Sequence, residues 1–321
     1  MKILKLTILI SLSILTLGLT SCGKLETKTH EISEDFTNIS IVNDTANVVF
    51  VPTDGECKVV CEEKKNVNHK VEVVDGTLKI EVIDSRKFYQ KMFSFSNDSV
   101  TVYLPKSQLG AISVKTDTGK VEIDGIGCNS FSLEVDTGVV SLKNVSSLGA
   151  FEVKSDTGRV TLENCQASWV SVTCDTGDIS LKNLSSASSL EVKSDTGKVA
   201  LENCRASAIS VVSDTGDIKM SDVFCINMSS KVDTGKTTMN NVIASGKLEI
   251  SANTGDVNFE GCDGLEVYIT TDTGDVKGSF LTAKIVFAET DTGKVDVPKL
   301  LEGGRCEITT DTGDIKISIN Q

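Results

Sequence analysis

Apolar and polar residues alternate along most of this chain in short runs that restart every 19 or 20 residues. Each restart carries Asp-Thr-Gly, with aspartates at 117, 136, 156, 175, 195, 214, 233, 272, 291 and 311 and Asn253 in the one remaining place. Stacked on their glycines, from Gly119 to Gly313, the repeats read Val121, Val140, Val160, Ile179, Val199, Ile218, Thr237, Val257, Val276, Val295 and Ile315 two residues later. The fourth residue after the glycine is again mostly apolar, while the first, third and fifth are mostly polar or charged. That alternation predicts a strand with one buried face. Five and seven residues before the glycine stand two further apolar columns, so a second strand leads into each corner. A second corner falls at Asn144, Asn164, Asn183, Asn203 and Asn241, followed by a variable return such as "SSLGA". Helical periodicity is missing.

A unit of this size cannot bury its apolar face alone, so successive coils must stack and pair in parallel. The expected fold is all-β: a parallel β-solenoid of about eleven 19–20-residue coils, with right-handed winding the expected hand and a less regular β region before it. Eleven coils at about 4.8 Å each make a rod roughly 50 Å long. The segment "ISIVNDTANVVF" places Ile39, Ile41, Val48 and Phe50 as a degenerate first coil around Ala46. The boundaries read 1–21 signal segment, 22–38 tether, 39–105 irregular β region and 106–321 repeats. The repetition also disposes of the aspartic-protease reading of Asp-Thr-Gly, because that chemistry needs two carboxylates sharing one proton. A turn column needs only an aspartate to accept N–H groups and a glycine to supply positive φ.

Charge adds a second pattern. The residue after the glycine reads Arg159, Asp178, Lys198, Asp217, Lys236, Asp256, Asp275, Lys294 and Asp314, and five after it Asp124, Lys143, Glu163, Lys182 and Glu202 alternate too. This checkerboard specifies register more than it stabilises, since exposed pairs contribute only about 0.2–1 kcal/mol each. Where the corner reads "DTGD", the pairs Asp175 and Asp178, Asp214 and Asp217, Asp272 and Asp275, and Asp311 and Asp314 gather carboxylates that Ca²⁺ could bridge. Neutralisation by N–H donors and lysines is the preferred account, with Ca²⁺ the secondary one; no other cofactor is expected.

The net charge of −13 argues against nucleic acid as a partner. Cys165, Cys204 and Cys262 alternate with valine and leucine in a core column, so they read as small buried apolar residues and not as disulfides. Cys57 and Cys61 offer no metal-type spacing and no neighbouring histidine in sequence. His30 and His69, the only histidines, read as solvated polar residues, and Trp169 as a packed or partly exposed residue on a return.

Before the repeats, Lys2 and Lys5 precede the apolar run "LTILISLSILTLGLT", which reads as a secretory signal. It ends in Leu19-Thr20-Ser21-Cys22, which resembles the lipobox of bacterial lipoproteins. That resemblance implies cleavage before Cys22, lipidation of its sulfur, and an exported chain tethered to a membrane at the cell surface or periplasmic face. The early "DGTLKI", the lead-in "VYLP" at 102–105 and the string of "SDTGKV"-type repeats resemble a bacterial family of β-strand-repeat proteins catalogued as candidate adhesins. The family implies an envelope-associated solenoid and brings no catalytic residues. The expected function is therefore a non-enzymatic, lipid-anchored surface scaffold for a protein or polysaccharide ligand. The alternatives are an envelope-stress accessory and a polysaccharide-active β-helix enzyme. The final coil, with Ile315, Lys316 and Ile317, is expected to form the outer edge of the rod and to mediate end-to-end self-association or strand addition.

Overall fold

The computed structural model describes residues 25–64, 66–86, 98–105 and 108–320. Cys22 and the apolar run before it lie outside them. The described chain is all-β and forms a β-solenoid of about ten turns with an irregular N-terminal β region. Its strands pair in parallel, coil on coil, in the register that the columns predict: Val121 aligns with Val140, Val140 with Val160, and Val160 with Ile179. These residues point inward and are fully buried. Each buried aliphatic side chain contributes about 1.5–3 kcal/mol, and each coil supplies several.

Two devices lock neighbouring coils together at the corners. The corner glycines stand in single file with φ between +139° and +159° at most positions, and a Cβ on any of them would strike the carbonyl of the adjacent coil. At Gly197 that contact would be 2.0 Å from the Gly177 oxygen. Only glycine satisfies both demands. At the second corner Asn144, Asn164, Asn183 and Asn203 adopt left-handed φ of 51–54°. Their amides form a ladder, Asn164 to Asn144 at 3.2 Å, Asn183 to Asn164 at 2.8 Å and Asn203 to Asn183 at 2.8 Å.

Stacking order departs from chain order at both ends. The strand Gly304–Thr312 pairs on one side with Val257–Thr273 and on the other with Lys284–Thr292. Ile315–Ile319 likewise lies between Val276–Phe280 and Val295–Asp296. The coil of residues 304–319 is thus inserted one place inward, and the coil of residues 284–296 is outermost. Near the N-terminus the same inversion occurs, because Asn38–Asn43 sits between Gln108–Asp124 and Thr77–Asp84. Asn47–Thr53 similarly lies between Gln108–Asp124 and Ser99–Pro105. Residues 39–50 do form a coil, but not the end one.

Beyond the next coil, formed by Thr77–Asp84 and Ser99–Pro105, the pairing turns antiparallel. Lys58–Glu63 pairs with Ser99–Pro105, Glu26–Glu31 pairs with Lys58–Glu63, and Val67–Val74 folds back on Thr77–Asp84 through Asp75-Gly76. The segment read as a tether therefore contributes a strand, Glu26–Glu31, to a cap.

Candidate functional site

The aspartates read as Ca²⁺ ligands fall into two sets. Asp175, Asp214, Asp272 and Asp311 of the triplets are exposed. Asp178, Asp217, Asp275 and Asp314, one residue past the glycine, reach the adjacent coil instead. Asp178 accepts the Lys198 N–H at 3.0 Å, Asp217 that of Lys236 at 3.0 Å, Asp275 that of Asp314 at 2.8 Å and Asp314 that of Lys294 at 2.9 Å. The Lys277 ammonium, 2.6 Å away, and the Asp314 N–H hold the Asp275 carboxyl below its usual range. Contacts in this column therefore run mainly from carboxylate to backbone, with Arg159 and Asp178 4.0 Å apart as its side-chain pair. Five residues past the glycine the pairs form as read, Lys143 to Glu163 at 3.2 Å and Lys182 to Glu202 at 2.8 Å.

The expected edge is corrected by the inverted stacking. Ile315 is flanked by Val276 and Val295, Lys316 by Lys277 and Asp296, and Ile315 and Ile317 are buried. The open edge belongs to Lys284–Thr292, which pairs on one side only among the described residues. On this strand Phe287 is 59% exposed, and in the return that follows the outermost coil Leu301 is 93% exposed. This end is pinned by one buried ion pair. Lys284, 2% exposed, bonds Asp263 and, at 2.6 Å, the Thr282 hydroxyl. It passes over Gly304, where any Cβ would lie 3.4 Å from the lysine Nζ and 2.8 Å from the Leu265 carbonyl.

The N-terminal cap holds the other polar cluster. Cys61 and Glu63, two apart on one strand, face inward, and the turn at Lys64 and Val67 brings His69 beside them. Among the described residues theirs is the one group of three metal-capable side chains with donor atoms within 4.8 Å of one another. Glu63 Oε1 accepts the His69 backbone N–H at 2.5 Å and lies 3.4 Å from His69 Nδ1, while Glu63 Oε2 is 2.6 Å from Lys28 Nζ. Burial pushes the Glu63 carboxyl up, but hydrogen bonds from His69 and Lys28 outweigh it and leave it below its ordinary range. Burial pushes the Cys61 thiol up to about 12. His30 is half-buried, and burial, the largest influence, pulls its imidazole below the usual value. The solvated reading of the two histidines is thus corrected, as is the absence of a histidine beside Cys61.

A family model described as Toastrack DUF4097 matches residues 36–222 and, overlapping, 188–321. The chain belongs to the toastrack family. Solved structures similar to this toastrack chain include a candidate adhesin from Bacteroides fragilis, at 16% identity over 94% of this chain and 100% of that one, with a TM-score of 0.32. A candidate cell adhesion protein from Clostridium sporogenes shares 10% identity over 92% of this chain and 100% of that one, at a TM-score of 0.21. A candidate adhesin from Parabacteroides merdae shares 12% identity over 92% and 97%, at 0.30. No curated protein matches the chain significantly.

The toastrack cap was the part hardest to read. Its signal was nonetheless present: Val59, Cys61 and Glu63 alternate, and so do Val67, His69, Val71 and Val73, which places Cys61, Glu63 and His69 on apolar faces. The remaining core cysteines behave as their columns indicate. Cys165 and Cys204 are buried, free and pushed up to about 11 by burial. Trp169 is half-exposed, with its Nε1 3.5 Å from Glu191.

Proposed function

We propose that this toastrack chain is a non-enzymatic surface scaffold, lipid-anchored at Cys22, whose open end takes up a strand from a partner in the manner of an adhesin. The observation that carries this reading is the difference between the two ends. The described chain starts at Leu25 in the cap, close in sequence to the lipobox-like Cys22, and the bare edge of Lys284–Thr292 lies about ten coils away. A rod anchored at its cap would hold that edge roughly 50 Å from the cap. An unpaired edge strand that carries exposed Phe287, with exposed Leu301 in the return after its coil, offers main-chain hydrogen bonds for affinity and apolar contacts for selection. Along the sides, each coil repeats its neighbour's residues, which supports a scaffold over a catalyst, since a catalyst needs one irregular cluster.

The test uses beads coated with the protein, or with its Phe287→Asp/Leu301→Asp variant, and scores retention on bacterial-envelope and host-surface preparations. The variant is expected to lose at least about tenfold in retention with an unchanged unfolding midpoint, since exposed substitutions usually cost under about 0.5 kcal/mol. Equal retention by both proteins would overturn the assignment of the open end. The anchor is tested separately: Cys22→Ser is expected to move the protein from the detergent phase to the soluble fraction.

A further inference from the structure

We propose that Cys61 Sγ, Glu63 Oε1 and His69 Nδ1 form a zinc site that staples the N-terminal cap. The hydrogen bonds around His69 lead to it. Asn43 donates through Nδ2 to the Ala46 carbonyl at 2.6 Å and to the Thr116 hydroxyl at 3.2 Å, so its Oδ1 is the atom facing His69 Nε2 at 3.4 Å. An acceptor in that place puts the ring hydrogen on Nε2. The lone pair of Nδ1, a buried atom that makes no hydrogen bond of its own, then faces Glu63 Oε1 at 3.4 Å. Two electron-rich atoms 3.4 Å apart in a dry interior repel each other unless a proton or a metal ion lies between them.

A proton on Nδ1 would meet that requirement, but a metal ion fits the surroundings better. Two ligands each about 2.0–2.1 Å from a tetrahedral zinc stand about 3.4 Å apart, the separation that Nδ1 and Oε1 already have. Cys61 supplies a sulfur to the same group, a donor that Ca²⁺ and Mg²⁺ do not favour and zinc does. The outer contacts are those of a metal centre as well. The ligating imidazole donates its other N–H to Asn43, and the second carboxylate oxygen is held by Lys28, so neither group is free to turn away. All three donors are at least nine-tenths buried. An ion there would join Lys58–Glu63 to Val67–Val74 and, through Asn43, to the coil beneath. The site is independent of the proposed surface role and lies at the opposite end of the rod from the open edge.

The experiment uses protein purified without a polyhistidine tag, stripped with chelator and titrated with Co²⁺ as the spectroscopic probe, then with Zn²⁺. One equivalent of Co²⁺ per chain is expected, with a sulfur-to-cobalt charge-transfer band that Zn²⁺ bleaches. Cys61→Ser should abolish the band, His69→Gln should weaken binding at least about tenfold, and Cys204→Ala should leave both unchanged. If a variant loses its cap, the wild-type protein still decides, because Zn²⁺ should slow alkylation of Cys61 at least tenfold. Absence of stoichiometric Co²⁺ binding in the wild type, a band that survives Cys61→Ser, or Cys61 alkylation indifferent to Zn²⁺ would each overturn the site.

Discussion

At one end of the solenoid, Val100 is 0% exposed because Lys58–Glu63 closes the sheet edge beside it; at the other, Val295 in the same column is 44% exposed because nothing described pairs beyond it. The covered end spends three antiparallel strands and an interior polar cluster on its closure. The open end relies on Lys284 and Asp263, with Phe287 and Leu301 in solvent. The difference teaches that the repeat cannot terminate itself. Every coil presents the same edge it receives, so stopping the stack requires residues that break the column pattern. One end breaks it with a cap, the other barely does.

The largest effect should come from testing whether the middle is stiffer than the open end. Gly197→Ala places a Cβ 2.0 Å from the Gly177 carbonyl at a φ of +145°, between coils that cannot move apart. A loss of about 5 kcal/mol or more is expected in denaturant unfolding. Gly293→Ala meets the same 2.0 Å contact, with Gly313, but in the outermost coil, which can yield. Its cost should be less than half as large, and equal costs would show that the open end is as rigid as the middle.

Next in size is the ion pair. Lys284→Met leaves Asp263 buried without its cation and should cost about 3–5 kcal/mol. The loss should appear as faster amide exchange across residues 284–319 while the cap keeps its protection. Lys284→Met combined with Asp263→Leu should regain part of that protection, since replacing both charges avoids an unpaired one.

The smallest effect requires no substitution. Cys61 and Cys306 are both 0% exposed and both pushed up to about 12 by burial, so each reacts only when its surroundings open. In chelator at pH 8, iodoacetamide should label Cys306 several-fold faster than Cys61. Equal rates would erase the contrast between the ends.

The columns were legible because burial enforces a period of two within strands and stacking enforces one of 19 or 20 between coils. Val121, Asn164 and Cys204 all lie where alternation places them. Stacking order was not legible, and the reason is physical. The coil of residues 304–319 carries the same apolar columns as that of 284–296, so either would fit against 266–280. The choice is made by residues outside those columns: Lys284, buried where other coils carry exposed residues such as Ser188, Ile226 and Leu265, Gly304 leaving room for it, and Asp263 beneath. The cap cluster was missed for a related reason. With only two histidines in the chain, His69 reads from sequence as a solvated residue, whereas the turn at Lys64 and Val67 makes it a neighbour of Glu63.

The inverted stacking has a mechanical consequence. A plain solenoid pulled by either terminus peels like tape, one coil at a time, each release breaking a single row of hydrogen bonds. In this rod the coils of residues 38–53 and 304–319 are tucked beneath a neighbour, so a pull on either has to tear two rows together. Load applied at the C-terminal strands would meet this doubled resistance at its first step, as a bandage holds once its loose end is folded under the last turn; load at the N-terminal side meets it once Glu26–Glu31 has parted from Lys58–Glu63.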